Sequence, residues 1–283
     1  MNKLLFIFLL LTLLIGFGFF PNYLSAQGNL LIFPTRVVLD DTKKMDQLIL
    51  SNTGNDTAHY FISFINLRMK TDGNVESITN PDSGQQFADK HLRFFPHAAL
   101  LGPNETQLIK IQGYKMNELK PGEYRSHLYI RTEQSKTNLG KQESTEKDSG
   151  IWILIKPIFG FTIPVILRIG ESNAIVSIED LSFQLINQKE PSIVFELVRT
   201  GNSSSYGNIT VNYLTGAGKE TKVAYIKGIA IYTPNTLRKL RLLLDKDPSI
   251  NYTHGSLQVI YEEENTDKKN GKITLVKKEM MLD

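Results

Sequence analysis

The run IWILIKPIFGFTIPVILR, from Ile151 to Arg168, constrains the fold more than any other part of the chain. Taken as extended backbone, it places Ile151, Ile153, Ile155, Pro157, Phe159, Phe161, Ile163, Val165 and Leu167 on one wholly apolar face. The other face mixes Trp152, Leu154 and Ile158 with Lys156, Thr162 and Arg168. A membrane helix would have this length. Pro157 and Pro164, however, each remove a helical hydrogen bond, Gly160 lies between them, and Lys156 puts a charge near the centre. The run is therefore read as a strand. Burying one face in its own sandwich uses roughly 5 or 6 residues of a strand, so about half of this apolar length is left for something else to cover.

The N-terminus reads as a targeting segment. Lys3 is followed by the apolar stretch Leu4 to Phe20 and then by Leu24-Ser25-Ala26, the pattern of a signal peptide cut near Ala26. Residues 1–26 are set apart on this reading, and the protein is expected to be exported. About 257 residues remain, enough for two domains, expected at 27–170 and 171–283. The net charge of +3 comes without any block of like charges, so nothing argues for nucleic acid or a membrane surface, and no nucleic-acid partner is expected. There is no cysteine, hence no disulfide, thiol nucleophile or thiolate metal site.

The remaining text reads as short strands divided by turns. NLLIFPTRVVL carries Pro34, which belongs on a sheet edge or at a bulge, so this first strand is expected to change partner midway. MDQLIL, HYFISFINLRM, the segment around Phe94-Phe95-Pro96, and Thr106 to Ile111 follow, with a short strand near Val75 to Ile78. EYRSHLYIRTE then sets Tyr124, Ser126, Leu128 and Ile130 against Arg125, His127, Tyr129 and Arg131. The polar stretch from Glu133 to Gly150 reads as a loop. After Arg168 come seven more strand-like segments, of which TLRKLRLLL alone has leucine spacing that also fits a helix. The fold class is all-β, with two β-sandwiches.

No catalytic pattern is present. The five histidines, His59, His91, His97, His127 and His254, lack metal-site spacing, and there is no phosphate loop, nucleophile elbow or other cofactor motif. The protein is not expected to be an enzyme, nor to use a cofactor or a small-molecule substrate. A long edge strand with surplus apolar length instead suits β-augmentation, in which a partner's strand is joined through backbone hydrogen bonds. Left uncovered, such an edge invites self-association.

Four passages, FPTRVVL, PHAALLGPNETQLIKI, PGEYRSHLYIRTE and IFGFTIPVILR, give the chain from about Leu30 to Gly170 a resemblance to the PapD-like periplasmic chaperones of the chaperone–usher pilus pathway. The wording GEYRSHL is closer to their divergent, archaic branch. The resemblance implies two immunoglobulin-like sandwiches in a boomerang arrangement, a periplasmic location, and two partners, an incomplete pilus or fimbrial subunit and an outer-membrane usher. The chaperone lends its edge strand to the subunit, and Ile151, Ile153, Ile155, Phe159 and Phe161 would be the donor residues. Side chains of this kind contribute about 1.5–3 kcal/mol each on burial. The family also binds the subunit's C-terminal carboxylate with two basic residues. The first maps onto Arg36 through TRVVL. The second, a lysine on the last strand, falls at Pro164, which leaves Arg125 or Lys156 as its substitute, with Arg125 preferred for its place in the best-matched passage. A reading of another class is a structural or adhesive surface protein of two immunoglobulin-like domains.

Overall fold

The computed structural model describes residues 30–133, 160–216, 218–247, 250–264 and 272–282. The described residues contain eighteen strands and two single 3-10 turns. They form two sandwiches, each closed over its own hydrophobic core.

The first strand does change partner at its proline. β1 (Leu30–Phe33) pairs with β3 (Met45–Asn52) in one sheet, and β2 (Val37–Asp40) runs parallel to β11 (Gly160–Ile169) in the other. Proline cannot donate to either ladder, so the crossing between sheets falls where a hydrogen bond would be lost in any case. The first sheet runs β1-β3-β9-β7, with β9 (Thr106–Gly113) and β7 (Leu92–Phe95). The second runs β2-β11-β10-β4-β8, with β10 (Gly122–Glu133), β4 (Ala58–Ile65) and β8 (Ala98–Leu101). Between them lie Leu39, Leu48, Leu50, Tyr60, Ile109, Ile111, Leu128 and Ile130, all essentially inaccessible. Tyr124, at the start of β10, donates its hydroxyl to the carbonyl of Lys120 at 3.2 Å, the tyrosine corner of immunoglobulin-type sandwiches.

HYFISFINLRM does not stay one strand. It breaks at Asn66, whose carbonyl accepts from Ile78 N–H at 3.0 Å and whose side-chain oxygen accepts from Ser126 Oγ at 2.6 Å. A half-buried side chain holds the chain here, which leaves the sheet to form a separate hairpin of β5 (Leu67–Met69) and β6 (Val75–Ser77).

The second sandwich joins the sheet β12-β13-β16 to the sheet β15-β14-β17-β18. These strands are β12 (Ile175–Ile186), β13 (Glu190–Thr200), β14 (Ser205–Leu214), β15 (Glu220–Ile231), β16 (Leu237–Leu243), β17 (Ser256–Glu264) and β18 (Lys272–Met281). TLRKLRLLL is thus a strand, in register with β13 from Leu237↔Val198 to Leu243↔Ser192. Phe195, Leu197, Val211, Val259 and Tyr261 fill the core.

Candidate functional site

The period of two along β10 and β11 sends alternate residues to opposite sides of one sheet. Tyr124, Leu128, Ile130, Ile163, Val165 and Leu167 face the first core. Glu123, Arg125 and His127 of β10, with Pro164, Ile166 and Arg168 of β11, take the other side, which is covered by the second sandwich. Ile166 and Met69 there join Ala230 and Tyr232 in a small third cluster, with Val38 and Tyr206 packed against it.

Around this apolar centre the interface is polar and basic. Glu123 is its buried carboxylate. It accepts from Ser204 N–H at 2.9 Å, from the Ser204 hydroxyl, from Thr233 Oγ1 at 3.0 Å and from Arg168 Nε at 3.2 Å. Arg168 also donates to the Ser204 carbonyl at 2.9 Å. At the far end, the hairpin β5–β6 is tied down by Asn235 Nδ2 on the Met69 carbonyl and by Lys239 N–H on the Thr71 carbonyl, each at 2.7 Å.

Two arginines of this face have no ion pair among the described residues. Arg36 stands one residue before β2, its guanidinium 4.6 Å above the Tyr206 ring. Arg125 is 3% exposed and lies 4.2 Å over the Tyr232 ring, donating to the carbonyls of Thr233 at 3.2 Å and Leu67 at 3.4 Å. The Nε of each is buried without a hydrogen-bond partner among the described residues. Desolvation lowers both pKa values, and Arg168 lowers that of Arg36 further, while the fields of Tyr232 and Glu123 work the other way. Both groups remain cations at any physiological pH, since an arginine starts from far above it. Such cations, Arg125 buried and Arg36 half-buried, can take an anion.

His127 is buried beside them, edge-on to Tyr232 at 6.3 Å, with Nδ1 unpartnered. Burial, and secondarily the charge of Arg125, pushes its pKa down to about 3. The unfolded chain takes up a proton near pH 6.5 whereas the folded chain stays neutral until about 3, so stability is complete above 6.5 and is lost as the pH falls towards 3. Between pH 7 and 5 this one group should remove about 2 kcal/mol. Urea unfolding at the two pH values measures it, and His127→Leu should flatten the difference; an unchanged pH dependence in that variant would assign it elsewhere.

The other feature is an edge. β2 covers β11 only from Val165 to Arg168, so from Gly160 to Pro164 that side of β11 has no partner strand among the described residues. Phe161, on the core-facing side of the strand, is 39% exposed there. Arg36 sits where the covered part of the edge begins. Of the sequence-derived site residues, Arg36, Arg125 and Phe161 are thus placed, the two arginines on one interface. Ile151, Ile153, Ile155, Lys156 and Phe159 lie outside the described residues. Glu123, Tyr206 and Tyr232 were not legible as site residues, although the alternation of EYRSHL already put Glu123 on the arginine's face.

No protein-family model matches the sequence, and no curated protein does. Among solved structures, the chain is similar to the YadV chaperone at 12% identity and a TM-score of 0.43, over 90% of this chain and 100% of that one. It is similar to a chain of the CsuC–CsuE chaperone–tip adhesion subunit pre-assembly complex from archaic chaperone-usher Csu pili of Acinetobacter baumannii at 10% identity and a TM-score of 0.43, over 89% and 97%. A third, from the Salmonella enterica SafA pilin in complex with the SafB chaperone, is 10% identical with a TM-score of 0.41, over 91% and 98%. At these values the likeness assigns no function to this chain.

Proposed function

We propose that the protein is a periplasmic chaperone that holds incomplete pilus or fimbrial subunits by donating an edge strand, and then delivers them to an outer-membrane usher. The observation that carries this reading is the place of Arg36 at the point where β2 stops covering β11. A guest strand laid ahead of β2, in the same direction, would pair with the open edge of β11 and end at Arg36. Its terminal carboxylate would then meet a cation that has no ion pair among the described residues, with Arg125 as the second anchor and Lys156 as the alternative to it. Ile151, Ile153, Ile155, Phe159 and Phe161 would fill the subunit's groove from the exported chain, organised as units 27–170 and 171–283 behind a signal peptide of residues 1–26. The reading involves no catalysis.

A second surface supports a second partner. Phe33, Ile49 and Leu108 are paired side by side across β1, β3 and β9, and are 66%, 40% and 50% exposed. A contiguous exposed apolar row of this kind marks an interaction face, here assigned to the usher.

Co-expression with a candidate subunit, followed by affinity recovery of the complex, is the test. The unaltered chaperone should keep the subunit soluble. Ile153→Asp combined with Ile155→Asp should lose it, and Arg36→Ala should lose it without lowering the chaperone's own melting temperature. Full recovery with the double aspartate variant would eliminate strand donation.

A further inference from the structure

The two arginines without an ion pair among the described residues are each covered by an aromatic ring from the other sandwich. Tyr206 and Tyr232 lie on one face of the β14–β15 ladder, since Tyr206 pairs with Ala230 and Tyr232 follows two residues after Ala230. Across the interface the first ring meets Arg36 at 4.6 Å and the second meets Arg125 at 4.2 Å. Tyr232 is itself held among Met69, Ile166 and Ala230, with Tyr206 packed beside it.

From this pairing we propose that Tyr206 and Tyr232 are the positioning residues of an anion site, stacking on Arg36 and Arg125 so that a guest's planar terminal carboxylate is received along their N–H edges. The inference rests on the chaperone reading and names the groups that shape its site.

A guanidinium carries its five donors in one plane and none on its faces. A ring over the face therefore fixes the plane without using a hydrogen bond. It also attracts the cation through its quadrupole, which offsets part of the desolvation while leaving the charge uncancelled. A carboxylate in the ring's place would neutralise the arginine and compete with the guest. Glu123, the buried acid of this interface, is already occupied by Ser204, Thr233 and Arg168. Burial raises the Tyr232 phenol above its ordinary pKa, so the ring under Arg125 stays uncharged.

The test uses the full chain and two synthetic peptides of alternating valine and threonine, one with a free C-terminal carboxylate and one with a C-terminal amide. Calorimetry should show the unaltered protein preferring the carboxylate. Tyr206→Leu and Tyr232→Leu should each lower that preference about tenfold, the size of a desolvated cation–π contact, and leave amide binding unchanged. Tyr206→Phe and Tyr232→Phe, which keep the ring, should retain it. Tyr206 is only half-buried, so its leucine variant should fold with the same melting temperature and is the deciding one. If the preference depends on Arg36 and Arg125 yet survives in Tyr206→Leu, the positioning role is overturned and the chaperone reading stands. If the unaltered protein does not distinguish the peptides, the carboxylate site fails, and with it this inference.

Discussion

Replacing Arg125 by Met should make the free protein more stable by about 1–3 kcal/mol and at the same time destroy its hold on a guest's carboxylate. Arg125 is buried with no ion pair among the described residues, and its compensation consists of two long hydrogen bonds to carbonyls and one ring. Taking a lone cation out of water costs several kcal/mol even after relaxation. Methionine is shorter but unbranched and flexible, so it fills irregular space and can pack against Tyr232. A residue retained at a cost to stability is expected where it serves binding. Urea unfolding of the free protein and calorimetry with a carboxylate-terminated peptide measure the two halves. A lower unfolding midpoint would mean that the ring and carbonyls more than repay burial, and that Arg125 is a structural strut.

Glu123→Ala should have the opposite character, destabilising the chain by about 3–5 kcal/mol. The side chain is 1% exposed and satisfies one backbone N–H, two hydroxyls and the Arg168 guanidinium, all but Arg168 from the second sandwich. Its removal leaves the Ser204 N–H and hydroxyl buried without that acceptor. Glu123→Gln keeps the shape and one acceptor oxygen, and should fall between the two. Because the contact joins the sandwiches, the alanine variant should also lose coupling between them, its two unfolding transitions lying further apart than those of the unaltered chain. A loss below about 1 kcal/mol would show that the clasp is not what couples them.

Whatever depended on a short period or a single turn residue was readable in the sequence. Pro34 predicted the change of sheet partner, and the alternation of EYRSHLYIR separated Arg125 and His127 from the core. TLRKLRLLL is marked as a strand by the sandwich spacing of its neighbours, not by its own pattern. HYFISFINLRM reads as one strand because its apolar spacing runs through Asn66 without a break; only the meeting of Asn66 with Ser126, 60 positions away, shows why it ends there. The site divides in the same way. Arg36 and Arg125 could be picked out as cations on strands, but the rings beneath them come from YGNITVNYL and KGIAIY, segments that read simply as two more strands. Which of their tyrosines meets an arginine is decided by how two sandwiches pack, and no local periodicity carries that.

The change of partner at Pro34 also sets the order in which the chain can acquire structure. β2 finds its neighbour about 130 positions later, in the pairing of Val37 with Val165. Closing so long a loop is slow, and the edge of the first sandwich cannot be completed from its N-terminal portion alone. A chain stalled partway through synthesis or export, before residues 160–169 emerge, would leave Val37 and Leu39 on a strand without the neighbour it pairs with. The same late strand that closes the first sandwich therefore also decides when a half-made copy stops being a hazard to its neighbours.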